Sequence, residues 1–137
     1  MLTLTDPHEA YRRSSLDARV QGGDSAALVQ LCLEQAVTAL GSALYAQEKG
    51  DVALRSKALT RALTAITALE MGVDRDAPLA QALLQVYGAG RRAVLDSVLR
   101  FNVQQLSAVR QDFLEIDAAL RGSSAVEHSP PMKIQTP

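Results

Sequence analysis

The stretch that most constrains the fold is Ala77 to Phe101, APLAQALLQVYGAGRRAVLDSVLRF. Its apolar residues recur at helical spacing, yet on more than one side. At about 100° per residue, Leu79, Leu83, Gly90, Val94 and Phe101 share one face, flanked by Val86, Tyr87 and Val98. A second stripe of Leu84, Gly88, Leu95 and Leu99 runs beside it. A helix that packs once and is otherwise solvated needs only the first stripe. This one reads as central to a bundle, or as reserving a face for a partner.

The 137 residues are 47% apolar but only 4% aromatic, with no Trp and two Phe. A core of that size must be built from Leu, Ala and Val, which suit closely packed helices better than a sandwich or barrel. A net charge of −1 with no clustered basic surface argues against nucleic acid as a partner. Cys32 is alone, so neither an intramolecular disulfide nor a cysteine-based zinc cluster is expected. The opening MLTLTDPHEAYRR lacks the basic start and apolar core of a signal peptide. No apolar run is expected to reach the roughly 20 residues that cross a bilayer, so a soluble cytoplasmic protein without membrane insertion is the expectation.

Turn chemistry divides the chain. Asp6-Pro7-His8-Glu9 predicts a short N-terminal helix, closed by Gly22-Gly23, whose Tyr11, Leu16 and Val20 can only dock as a lid. Asp24 is expected to cap a helix from Ser25 to Lys49, with an apolar arc through Leu28, Val29, Cys32, Leu33, Ala36, Val37, Ala39, Leu40, Ala43 and Leu44. Leu31, Thr38 and Tyr45 lie outside that arc, spaced by seven along a back seam. Gly50-Asp51 predicts a break and a new cap for a helix over Val52 to Met71. Its core face is Val52, Leu59, Ala62, Leu63, Ile66 and Leu69, opposite an uncharged face of Ser56, Thr60, Thr64 and Thr67. Asp76 is expected to cap the central helix, and Asn102 the last, over Val103 to Leu120. That last helix buries Leu106, Val109, Phe113, Ile116 and Leu120, and Gly122 ends it. The fold class is therefore all-α: an antiparallel up-down-up-down four-helix bundle over 24–121, with an N-terminal segment over 1–23 and a disordered tail over 122–137.

Chemistry is sparse. His8 and His128 fall in the terminal segments, and the carboxylates are scattered with no Glu-x-x-His pair for a di-iron site. Gly88-Ala89-Gly90 lies within a helix and reads as a place of close helix contact, not as a phosphate loop. Cys32 reads as a small core residue. No catalytic residue, metal or cofactor is expected. What remains is surplus apolar surface: the back seam, the second stripe and the threonine face, with Gly41 and Gly88 allowing close approach. Such a surface suits the amphipathic helices of a partner. A diffuse pattern in an alanine-rich bundle, or contact with the N-terminal segment, would leave the same trace.

The order of residues adds a resemblance. Asp6-Pro7-x-x-Ala10-Tyr11 followed by Ser15-Leu16 resembles the N-P-Y-x-A-Y…S-V opening of the flagellin export chaperone family, FliS. Leu28-Val29-x-x-Cys32-Leu33-Glu34-Gln35-Ala36-Val37 is similar to its L-I-x-M-L-Y-D-G-A-I stretch, and Leu79-Ala80, Leu83, Val86-Tyr87 and Arg92 to its I-A-x-N-L…L-Y-x-Y-x-x-R-R segment. The resemblance spans about Asp6 to Leu120. The chain diverges at Arg19 to Ser25, which is longer than the family's T-A-S-P, and at Glu34-Gln35, Asp76-Ala77 and Ala93.

The resemblance implies a cytoplasmic helical bundle that binds the disordered C-terminal segment of flagellin, prevents premature polymerisation and aids type III export. Flagellar export gate components are a second implied partner. On that reading the partner-binding residues are Leu31, Tyr45, Leu84, Tyr87, Arg92, Leu95 and Leu99, with Tyr11 and Leu16 as a lid able to compete with the client. Tyr87, placed by the family match, suits a core position equally well, and Arg92 can meet a client carboxylate. The expected state is a monomer or weak homodimer. Two alternatives stand beside it: a helical module that homodimerises or binds another amphipathic partner in a regulatory role, and an enzyme or ligand-binding bundle whose site the sequence does not mark.

Overall fold

A computed structural model describes residues 25–128, which form four helices. The N-terminal helix, the Asp24 cap, the lid residues Tyr11 and Leu16, and the tail from residue 129 onward lie outside the described residues. Helix α1 spans Ser25–Lys49, α2 Val52–Met71, α3 Ala80–Leu99 and α4 Val103–His128. Each helix neighbours the next, and α4 closes back onto α1, which gives an all-α four-helix bundle. Side-chain links fix the antiparallel sense. Along α1 and α4, Glu34 meets Arg121 and Val37 meets Arg110; along α2 and α3, Arg55 lies by Phe101 and Glu70 by Arg91.

Local chemistry explains two of the three connections. Gly50 takes φ +71°, a left-handed conformation that an L side chain seldom adopts, and so turns the chain out of α1. Asp51 then caps α2: its Oδ1 accepts from Leu54 N at 3.0 Å. Asn102 does the same for α4, where its Oδ1 accepts from Gln105 N at 2.9 Å. Each cap engages a backbone N–H that would otherwise lack a partner at the helix start.

The third connection departs from expectation. Asp76 does not cap α3. Asp74 Oδ1 accepts from Asp76 N at 3.1 Å, and the helix begins only at Ala80, behind Leu79 with no side-chain cap. Pro78 accounts for the delay, because the residue before a proline is driven away from helical backbone and Ala77 cannot open the helix. At the other end Gly122 is not a terminator. The only left-handed glycine among the described residues is Gly50, and α4 continues through Gly122 to His128. A glycine inside a helix costs about 1 kcal/mol, which does not by itself stop one.

The core is built from Leu33, Leu40, Ile66, Leu106, Val94 and Phe113, each essentially inaccessible to water. Around them, Ala36, Ala39, Ala43 and Ala46 of α1 and Ala58, Ala62 and Ala65 of α2 are buried too. Such small side chains let helix backbones approach closely, and α1 and α2 form the most extensive pair in the bundle. Three residues assigned to the core are exposed: Val52 (59%), Leu79 (67%) and Val98 (62%). Leu120 is also partly open to solvent. Val52, Leu79 and Val98 sit at or near the ends of α2 and α3, whereas Leu120 lies two turns inside α4.

Ala26–Lys49 is long and apolar enough to satisfy the length and composition of a membrane span, with mean hydropathy 1.4. That corrects the expectation that no run comes near. The same helix supplies Leu33, Ala36, Leu40 and Ala43 to the bundle core, and a central helix of a bundle passes the same test.

The expected threonine face of α2 holds in part: Ser56, Thr60 and Thr64 are exposed, Thr67 is half-buried, and exposed Lys57 lies beside Thr64. Thr60 and Thr64 are exposed, yet their hydroxyls turn inward, donating to the carbonyls of Ser56 at 3.1 Å and Thr60 at 3.0 Å.

Candidate partner-binding surface

Two surfaces stand out. The first is a groove of about 610 Å³ along the seam of α1 and α4, lined by Leu44, Tyr45, Val103, Ser107 and Arg110, with Gly41 in its wall and Gln47 and Glu48 towards its end. Tyr45 is 56% exposed, with the Lys49 ammonium 5.6 Å from its ring centre one turn along. Gly41 does not lie open to a partner backbone. Arg110 crosses it, donating from Nε to the Val37 carbonyl at 3.2 Å.

The second surface is the flank of α3 that borders α2. Glu70 of α2 holds Arg91 at 2.8 Å, and Gly88 lies beside both Glu70 and Arg92, so this side of α3 turns towards α2. Leu84, Leu95 and Leu99 fall within about 40° of Gly88 around the helix. Leu84 is half-buried, Leu95 is exposed, and Leu99 is almost fully exposed at 93%. Arg92 is exposed at the same edge.

Tyr87 belongs elsewhere. It is buried, with its ring edge-on to Phe113 at 5.8 Å between centres. Burial and the neighbouring Cys32 push its phenol above the usual value. It supports the core and is not on the surface where Leu95 and Leu99 lie.

Helices α1 and α3 sit diagonally in the bundle with their backbones apart, although Cys32 of α1 approaches Tyr87 of α3 in the core. Leu31 and Tyr45 on one, and Leu84, Leu95 and Leu99 on the other, therefore do not form one groove. The antiparallel order does bring part of each stripe to a common end. The last turn of α1, the first of α2, the last of α3 and the first of α4 all meet there. Tyr45, Val52, Val98, Leu99 and Val103 are exposed in that region. Leu31 and Leu84 lie towards the opposite end. Helical periodicity assigned Val52 and Val98 inward and missed Val103 and Arg110. A wheel reports the side of a helix and not the level along it.

Among the described residues, no three His, Cys, Asp or Glu side chains come together as a metal site would need. Cys32 is half-buried, and that burial raises its thiol pKa, which disfavours the reactive thiolate.

A helical bundle with apolar side chains exposed along a seam, one helix and one end is built like a protein-binding module. The family model for flagellar protein FliS matches residues 7–123, and the chain belongs to the FliS family, a family of flagellar export chaperones. No curated protein matches the chain.

Proposed function

We propose that the protein is a cytoplasmic chaperone that binds the C-terminal segment of flagellin, keeps it from polymerising early and delivers it for type III export. Family membership over residues 7–123 carries this reading. The α1–α4 groove and the exposed leucines of α3 support it, since they offer apolar surface on two sides of the bundle. A client covering both along their length wraps round the bundle, which a disordered segment can do as it folds onto it. Leu31, Tyr45, Leu84, Leu95 and Leu99 are the apolar contacts, and Arg92 meets a client carboxylate at the rim. Tyr11 and Leu16 act as the lid, and components of the export gate are a second partner. The activity is binding, not catalysis. Ordering a disordered segment is costly, and burial of a large apolar area on the bundle offsets it.

Calorimetric titration with the C-terminal segment of flagellin from the same organism tests the proposal, with circular dichroism on the same mixture. Binding with added helicity and a negative heat-capacity change is expected. A folded, monomeric sample that releases no heat and gains no helix overturns it. Light scattering that finds a tight homodimer favours a regulatory module instead.

A further inference from the structure

Arg110 stands in the wall of the α1–α4 groove with most of its hydrogen-bonding capacity unengaged among the described residues. Its Nε donates to the Val37 carbonyl, one of the five N–H groups a guanidinium carries. The group lies low on α1 because residue 41 is glycine. A Cβ there would fall 3.2 Å from Nε and 3.7 Å from Cζ. Arg91 and Arg121 each pair with a carboxylate, whereas Arg110 forms no ion pair with a carboxylate of the described residues. Glu48 lines the same groove without pairing to it. Beside it are Leu44, Tyr45 and Val103. A half-buried guanidinium next to apolar side chains is complemented by a carboxylate, which it can hold through two parallel hydrogen bonds.

The groove also has a length. It is lined from Gly41 to Glu48 on α1 and from Val103 to Arg110 on α4, about two helical turns on each side. An amphipathic helix laid along this seam can place one side chain at Arg110 and others, three or four and seven residues away, towards Tyr45 and Val103.

We propose that Arg110 is the polar anchor of the groove and receives an Asp or Glu side chain from a helical segment of the client. Apolar residues of the same segment, one and two turns along, cover Leu44, Tyr45 and Val103. This rests on the flagellin-binding reading and adds to it the register in which the client docks. Gly41 is part of the device, since it seats the guanidinium.

The test is calorimetry with the full chain as wild type, Arg110→Met, Arg110→Lys and Gly41→Ala. Each is titrated with the flagellin C-terminal segment and with variants in which one acidic residue at a time becomes its amide. Arg110→Met is expected to weaken binding by about tenfold or more, as loss of a charge-assisted contact does. Arg110→Lys and Gly41→Ala, which keep a charge but change its geometry, fall in between. One amide variant reproduces the loss in the wild type and adds nothing in Arg110→Met. Circular dichroism establishes that each variant is folded. Should Arg110→Met fail to fold, Gly41→Ala and Arg110→Lys combined with the amide variants decide the matter. Wild-type binding with unaltered affinity in the groove variants, or losses that add for every acidic residue, overturns the anchor and leaves the proposed function standing. Absence of binding by the wild type overturns both.

Discussion

Gly90 of α3 lies so close to Phe113 of α4 that a Cβ at position 90 would come within 3.0 Å of the ring's Cζ. Val109 Cγ1 would be 3.2 Å away. Phe113 cannot easily retreat, because it is fully buried and Tyr87 stands edge-on against it. This contact sets the distance between the last two helices.

Gly90→Ala is accordingly expected to destabilise the bundle despite better helix propensity. The propensity gain is about 1 kcal/mol, while overpacking a well-filled core costs about 1–3 kcal/mol. Gly90→Val, with a larger side chain and poorer propensity, should lose more. Urea unfolding reads the difference as a lower midpoint at unchanged slope. A midpoint above wild type for Gly90→Ala would refute the account.

Asp51→Ala and Asn102→Ala remove the two observed caps. Each should cost about 1 kcal/mol, and the two losses should add, since they involve separate hydrogen bonds. Asp76→Ala, at the expected cap that the structure does not use, should be smaller than either. Thermal unfolding of the three variants ranks them directly.

Leu99→Glu and Leu95→Glu probe the flank of α3 that borders α2. Leu99 is 93% exposed, so its substitution should change stability by no more than about 0.5 kcal/mol. Client affinity should nonetheless fall in both variants, and in Tyr45→Ala. Phe113→Ala is the opposite case: a loss of about 3–5 kcal/mol from the core. Loss of client binding in well-folded Leu99→Glu would locate the contact on α3, whereas full retention would remove that helix from the proposed surface.

Cys32 gives a pH prediction. Burial raises its thiol pKa in the folded state, so above the ordinary thiol range the unfolded chain has released a proton that the folded chain still holds. Unfolding then becomes easier as pH rises, and this contribution vanishes at neutral pH where both states are protonated. Alkylation of Cys32 at mildly alkaline pH should be slower in the native protein than in denaturant. Equal rates would contradict the burial.

The parts of this fold legible in the sequence are those decided locally. Asp51 and Asn102 each sit at the head of an apolar-periodic segment and cap by reaching residues three positions on. Asp76 occupies a similar place but is defeated by Pro78, two residues later. Gly122 reads as the end of the last helix, but a glycine near a helix end can also be carried within it, and here it is carried. The candidate site was harder to read. Tyr45, Leu95 and Leu99 emerged from periodicity because they lie off the core stripe. Tyr87 borders that stripe, and only its contact with Phe113 settles that it faces inward. Arg110 escaped because its seat is Gly41, on another helix and far away in sequence. No local pattern records that pairing.

The threonine face of α2 carries a consequence for any chain that lies on it. Thr60 and Thr64 direct their hydroxyl donors into their own helix, so the charge on that side of α2 comes from exposed Lys57, about 20° from Thr64 around the helix, and from Arg61 at its edge. A chain arriving there is offered no free hydroxyl hydrogen by either threonine, so these two residues do not fix its register.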